Sequence, residues 1–167
     1  MPQSPINPIR PTNDEARKLA RSLIAAATFG ALAVNDGISG FPAVTRIATG
    51  TAPSGEILTL VSGLAAHTTA LLADPRAGLL LGEPKEKGDP LTHSRLALRV
   101  MAHQIARDDP RFAALRTHWL ESHPKSKLYI DLPDFIFFVL TPQSGALNGG
   151  FGRAWQLTAS DLMPVAS

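Results

Sequence analysis

The chain has 167 residues, 16 Lys and Arg against 14 Asp and Glu, and no cysteine. That length suits one domain able to bury roughly 70% of its unfolded surface. A net charge of +2 is too small to imply nucleic acid, and no basic block or basic, aromatic-studded strand supports it. The missing cysteines exclude disulfides, thiolate metal sites and a cysteine nucleophile, and they are compatible with a cytoplasmic protein.

Met1 to Pro11 carries four prolines and one cation, which predicts an extended N-terminal arm, either disordered or packed on a partner subunit. It has no apolar core of a signal peptide, and no run in the chain approaches the 18 or so apolar residues of a membrane span. Residues 12–167 read as a single domain. Thr12-Asn13-Asp14-Glu15 has the form of a capping box. Ala16, Leu19, Ala20, Leu23, Ile24 and Ala27 then recur at helical spacing.

After Phe29-Gly30 the period becomes that of strands. Ala31 to Val34, Ala43 to Thr49 and Ile57 to Ser62 are β-prone runs separated by the turn signals Asn35-Asp36-Gly37 and Pro53-Ser54-Gly55. Ala66 to Ala73 predicts a short helix stopped by Asp74-Pro75. Ala77 to Gly82 and Ser94 to Ile105 predict strands. Asp108-Asp109-Pro110 opens a second helix with Phe112, Leu115 and Trp119 on one face, fading at His123-Pro124. Asp134 to Leu140 and Ser144 to Phe151 predict two further strands, and the tail holds one helical turn. The expected fold is mainly β (α+β): a small antiparallel six- to seven-stranded barrel with peripheral helices.

Three segments carry candidate chemistry. Arg46 lies in an otherwise uncharged strand, where it either reaches water at a sheet edge or holds a phosphate. Ser62-Gly63-Leu64 leads into a helix bearing His67 and Thr68. Helix-start amides, hydroxyls and a chargeable imidazole there can bind an anion, although ordinary capping explains the same residues. The Pro53-Ser54-Gly55 turn predicts a hairpin that brings Arg46 near Ser62. Gly149-Gly150-Phe151-Gly152 lets backbone approach a flat ligand, or makes a bulge or tight turn. Arg153 and Trp155 follow it with charge and π surface. No dinucleotide fingerprint, P-loop, nucleophile elbow or histidine grouping for a metal is present, and no side chain stands out as a catalytic nucleophile or base.

In this order the Thr45-Arg46-Ile47-Ala48-Thr49 strand, the Ser-Gly-Leu-Ala-Ala-His-Thr run from Ser62 to Thr68, Asp74-Pro75-Arg76-Ala77 and Gly149-Gly150-Phe151-Gly152-Arg153-Ala154 resemble the FMN-binding split-barrel superfamily. The nearest branch is the pyridoxamine 5′-phosphate oxidase-related, heme-utilisation-like proteins, and the likeness covers roughly residues 14–156. The resemblance implies a split β-barrel homodimer with FMN in a groove at the subunit interface. It implies that Arg46 and Thr49, with Ser62, His67 and Thr68, hold the phosphate and ribityl end, and that Phe151, Gly152 and Arg153 approach the flavin from the other subunit. Ile47, Ala48, Gly63, Leu64 and Trp155 complete the expected site. The implied function is an FMN flavoprotein, an oxidoreductase. The alternatives are a non-catalytic heme- or flavin-binding protein of the heme-utilisation type and a structural dimer with a vestigial groove. Heme-utilisation relatives commonly continue into a further C-terminal domain or tail that handles heme, and no histidine follows His123 here.

Overall fold

The computed structural model describes residues 7–165. Its strands are β1 (Ile9–Arg10), β2 (Phe29–Asn35), β3 (Pro42–Ala48), β4 (Gly50–Thr51), β5 (Ile57–Ser62), β6 (Arg76–Leu81), β7 (Arg95–Ile105), β8 (Phe135–Asn148) and β9 (Ala154–Thr158). The helices are α1 (Asp14–Ala26), α2 (Ala66–Ala73), α3 (Phe112–Ser122) and α4 (Ala159–Leu162). Nine strands stand against the six or seven expected. Two of them, β1 and β4, have only two residues each, too few for any periodicity to register.

The start of α1 corrects the expected cap. Asn13, in extended conformation, accepts the Ala16 amide on its side chain, whereas the Thr12 hydroxyl donates to the Gln156 carbonyl. Of the expected arm, Met1 to Ile6 lie outside the described residues. Ile9 and Arg10 pair in parallel with Ala154 and Trp155 of β9. α3 also begins later than the Asp108-Asp109-Pro110 signal. The Asp109 carboxylate accepts the Arg111 amide and pairs with its guanidinium, so it closes the turn ahead of the helix rather than capping it. At the other end Thr158 and Asp161 form a complete capping box for α4.

Strand pairing runs β1-β9-β8-β7-β6-β2-β3, with β5 joined to β8 and β4 to β5. Because β4 follows β3 directly in the chain, this path curls back on itself. All neighbours except β1 and β9 are antiparallel. The two strands expected at 134–140 and 144–151 are one continuous β8, despite Pro142. That proline falls where β8 changes neighbours: residues up to Leu140 pair with β5, and residues from Ser144 pair with β9. The ladder to β7 slips there by one residue, between Arg99 and Val100. A residue without an N–H fits such a bulge.

Two apolar clusters lie on opposite faces of β5 and β8. Ala16, Ala20 and Ile24 of α1 pack with Leu32, Leu79, Leu98 and Leu140 in the larger one. Leu58, Leu60, Phe137 and Val139 pack with Leu115 and Trp119 of α3 in the other. Burying Phe137 and Trp119 contributes about 2–3 kcal/mol each in transfer free energy. β5 is therefore buried on both sides, a wall shared by two cores. Its half-buried end, Ser62, delivers the chain to the candidate site.

Candidate functional site

The hairpin expected between 43–49 and 57–62 forms only at its tip. Gly50 and Thr51 of β4 pair with Leu58 and Ile57, whereas β3 takes β2 as its partner. Beyond the tip a side-chain hydrogen bond ties the two strands, the Thr59 hydroxyl donating to the Ala48 carbonyl at 2.7 Å. Arg46 and Ser62 both lie past that tie in the same direction, with no ladder between them. Arg46 is exposed on an edge strand. Its guanidinium sits 5.5 Å from the centre of the Phe29 ring and makes no ion pair among the described residues. It borders a cleft of about 190 Å³ with Phe29, Leu80, Gly82 and Glu83.

Ile47 and Thr49 point the other way by the two-residue period of a strand. Ile47 belongs to the larger core, and Thr49 is only 1% exposed with its hydroxyl unpartnered. In this conformation neither side chain reaches a ligand. Ala48 is half-buried and spends its carbonyl on Thr59.

The Ser62–Thr68 turn is sealed by its own hydrogen bonds. The Ser62 hydroxyl donates to Asp134 Oδ2 at 2.9 Å and accepts the Leu64 amide, while the Thr68 hydroxyl donates to the Ser62 carbonyl at 2.6 Å. Gly63 donates its amide to the Asp134 carbonyl, which a Cβ at Gly63 would approach to 2.9 Å; only glycine leaves room. Thr68 is 0% exposed and so structural here, and Leu64 stands 87% exposed at the tip. No side chain caps α2, leaving its first turn for an external acceptor. Burial lowers the pKa of His67 below its ordinary 6.5, so its imidazole is neutral at pH 7 and supplies a hydrogen bond rather than charge. Asp134 is the participant that sequence reasoning missed. It lies 72 positions from Ser62, and nothing local to either residue signals the meeting. Its carboxylate suits hydroxyl donors at Ser62 better than a second anion.

The glycine-rich stretch is a tight turn between β8 and β9. The Asn148 side chain accepts the Gly150 amide, and Gly149 and Arg153 close the turn backbone to backbone. Gly150 and Gly152 have φ of +115° and +66°, a conformation L side chains rarely adopt. A Cβ on Gly149 would come within 3.0 Å of the Trp155 ring. Trp155 is correspondingly buried, 1% exposed, with the Arg153 and Arg10 guanidinium groups 5.5 and 6.0 Å from its ring centre. Here it packs the turn from beneath instead of offering a free face to a ligand ring. Arg153 also pairs with Glu15 of α1. Phe151, 96% exposed, is the aromatic surface this turn presents.

The two groups of candidate residues do not meet in one chain. Ser62 is opposite Phe135 at one end of β8, and the glycine turn leaves from Asn148 at the other. The 14 residues of β8 span up to about 43 Å of strand at ~3.3 Å per residue.

No family model matches the chain. A noncanonical heme oxygenase of the chloroplast, HOZ of Arabidopsis thaliana, is 29% identical over 118 residues, covering 70% of this chain and 34% of that protein. Heme oxygenase HutZ of Vibrio cholerae is 28% identical over 109 residues, covering 62% of this chain and 60% of that protein. The chain thus spans about a third and three fifths of the curated relatives it matches. One solved structure is 49% identical and superposes with a TM-score of 0.83 over 92% of this chain and 99% of its own. A heme binding protein from Mycobacterium smegmatis is 31% identical, with a TM-score of 0.78 over 92% of this chain and 60% of that one. A relative of general stress protein 26 from Clostridium acetobutylicum, of the pyridoxinephosphate oxidase family, shares the fold at 12% identity and a TM-score of 0.66. The chain belongs to the split-barrel proteins of the pyridoxamine 5′-phosphate oxidase-like kind, in their heme-utilisation branch.

Proposed function

We propose that this chain is an FMN-binding flavoprotein, a cytoplasmic oxidoreductase that works as a homodimer with the flavin held between two copies. The observation that carries the reading is the division of the candidate residues between the two ends of β8, as a site shared by two copies requires. In this reading β2, β3, β5, β6, β7 and β8 make the barrel, and residues 12–167 are the FMN-binding domain. Arg46 and the uncapped start of α2 take the phosphate, since an unengaged guanidinium and free helix-end amides both favour an anion. Ser62 and Asp134 take ribityl hydroxyls. Phe151, held out on a rigid turn, meets the ring bound mainly by the other copy. FMN, when bound, supplies the electron transfer, and the chain orients it and excludes water.

A second reading, with support of about the same weight, is a heme-binding protein of the heme-utilisation type. The names of the relatives at 28–31% identity favour it. So does His67, because a neutral imidazole is the form an iron accepts.

Mixing the purified chain with FMN separates these readings from neither. A yellow complex with quenched flavin fluorescence and a dimeric mass is expected. A colourless preparation that leaves the spectrum of FMN unshifted overturns the flavin reading. Hemin titration that shifts the Soret band, with no NAD(P)H- or oxygen-dependent turnover, selects the second.

A further inference from the structure

A cleft of about 730 Å³ lies at the opposite end of β5 from Ser62, between α1, the β4–β5 turn and the chain that follows α4. Arg21 faces it from α1, and its Nε is buried with no hydrogen-bond partner among the described residues. An unmet charged donor is costly, and the outer nitrogens of this half-buried guanidinium, which make no hydrogen bond among the described residues, are open to an acceptor from outside. Glu56 faces the same cleft, half-buried. One of its oxygens accepts the Ser54 hydroxyl at 2.7 Å, and no ion pair joins it to Arg21. The cleft therefore offers one charge of each sign, held apart on different elements.

Behind these groups the cleft runs under Pro164 into a more enclosed hollow of about 70 Å³, walled by Ile57, Val139, Leu140 and Leu162. Ile24, Gly55 and Glu56 border both spaces. The roof is fixed. Gly55, at φ +85°, is pressed so close to Pro164 that a Cβ would stand 2.9 Å from the proline Cβ. The hollow has room for one branched aliphatic group and little more.

We propose that this cleft binds an apolar α-amino acid, with its carboxylate on Arg21, its ammonium on Glu56 and its side chain in the hollow. A simple acid would meet repulsion from Glu56, and a simple amine would leave the Arg21 donor unmet. A polar side chain would lose its water to an apolar wall. This ligand and its residues are separate from those assigned to FMN.

Isothermal titration of the full chain with L-leucine tests it. Saturable heat is expected, with 4-methylpentanoate and 3-methylbutylamine each binding about tenfold or more weakly, roughly the value of one charge-assisted contact, and glycine weaker by about tenfold or more through the lost burial of the side chain. Arg21→Met and Glu56→Gln each weaken leucine binding by about the same factor. Ala25→Leu narrows the mouth with both charges in place and also weakens binding, which keeps the test open should either charge variant fold poorly. Arg46→Ala binds leucine like the parent while binding FMN more weakly, so failure of either site is seen separately. Heat that does not saturate, equal binding of the acid lacking the ammonium, indifference to all three cleft variants, or loss with Arg46→Ala overturns the proposal.

Discussion

Trp119 and His123 stack face to face, with ring centres 4.1 Å apart and planes 10° from parallel. His123 also donates from Nε2 to the Thr28 carbonyl at 3.0 Å, since a carbonyl can only accept. One turn at the end of α3 is thereby fastened to the junction of α1 and β2. Gly50 of β4 completes the arrangement, for a Cβ there would lie 3.2 Å from Trp119 and 3.3 Å from His123. His123→Ala should destabilise the fold by about 1–2 kcal/mol through the lost hydrogen bond and ring contact. Gly50→Ala should destabilise it too, because the crowding atoms belong to rings locked on both sides. Urea denaturation measures both, and unchanged midpoints would dismiss the clasp as incidental.

Arg46→Ala should weaken FMN binding by about 10- to 100-fold, the loss of one or two charge-assisted hydrogen bonds at roughly 1.5–3 kcal/mol each. Stability should barely change, because the exposed guanidinium has only the Phe29 ring for company. Riboflavin, lacking the phosphate, should bind the variant as it binds the parent. Equal loss of both flavins would make Arg46 structural.

Asp161 caps α4 and pairs with Arg17 of α1. Hydrogen bonds from Thr158, then the Arg17 guanidinium, lower its pKa from the ordinary 3.8 to about 2. A carboxyl group held low in the folded state contributes stability that is full above its unfolded value and disappears as pH falls through the folded one. Part of the acid sensitivity of melting should therefore lie between about pH 4 and pH 2. Asp161→Asn should remove that part and cost about 0.5–2 kcal/mol at neutral pH as a lost cap. A variant that melts with the parent's slope through this window would contradict the assignment.

His67 acts in the same direction at higher pH, from a different cause. Burial disfavours its imidazolium, so protonation favours the unfolded chain and stability falls as pH drops below about 6.5. The ring should titrate below 6.5 by proton NMR in the free protein, and His67→Gln should flatten that slope. A midpoint above 6.5 would restore the imidazolium as an anion ligand.

Phe151→Ala should leave the melting temperature unchanged, since the ring touches almost nothing in the chain, yet weaken flavin binding. Gly152→Ala should cost about 1 kcal/mol, because alanine must adopt φ near +66° although its Cβ meets nothing. If Phe151→Ala binds FMN with parental affinity, the exposed ring has no part in the flavin site.

What the sequence determined by itself is local. The span of α2 from Ala66 to Ala73, the stripe of α1 and the tight turn at Gly150 and Gly152 follow from the stop at Asp74-Pro75, periodicity and the absence of a Cβ, all effects that act within a few residues. The motifs around Arg46, Ser62 and Arg153 were legible for the same reason. Only the tertiary structure decided which strands became neighbours. It set β3 on β2 instead of β5, carried β8 unbroken through Pro142 at its change of partner, and brought Asp134 to Ser62. It also turned Thr49, Thr68 and Trp155 inward, where their side chains serve packing. Strand pairing joins residues dozens of positions apart, and its choice rests on which apolar faces can be buried together. That energy belongs to the whole sheet and leaves no mark on the short segments that compose it.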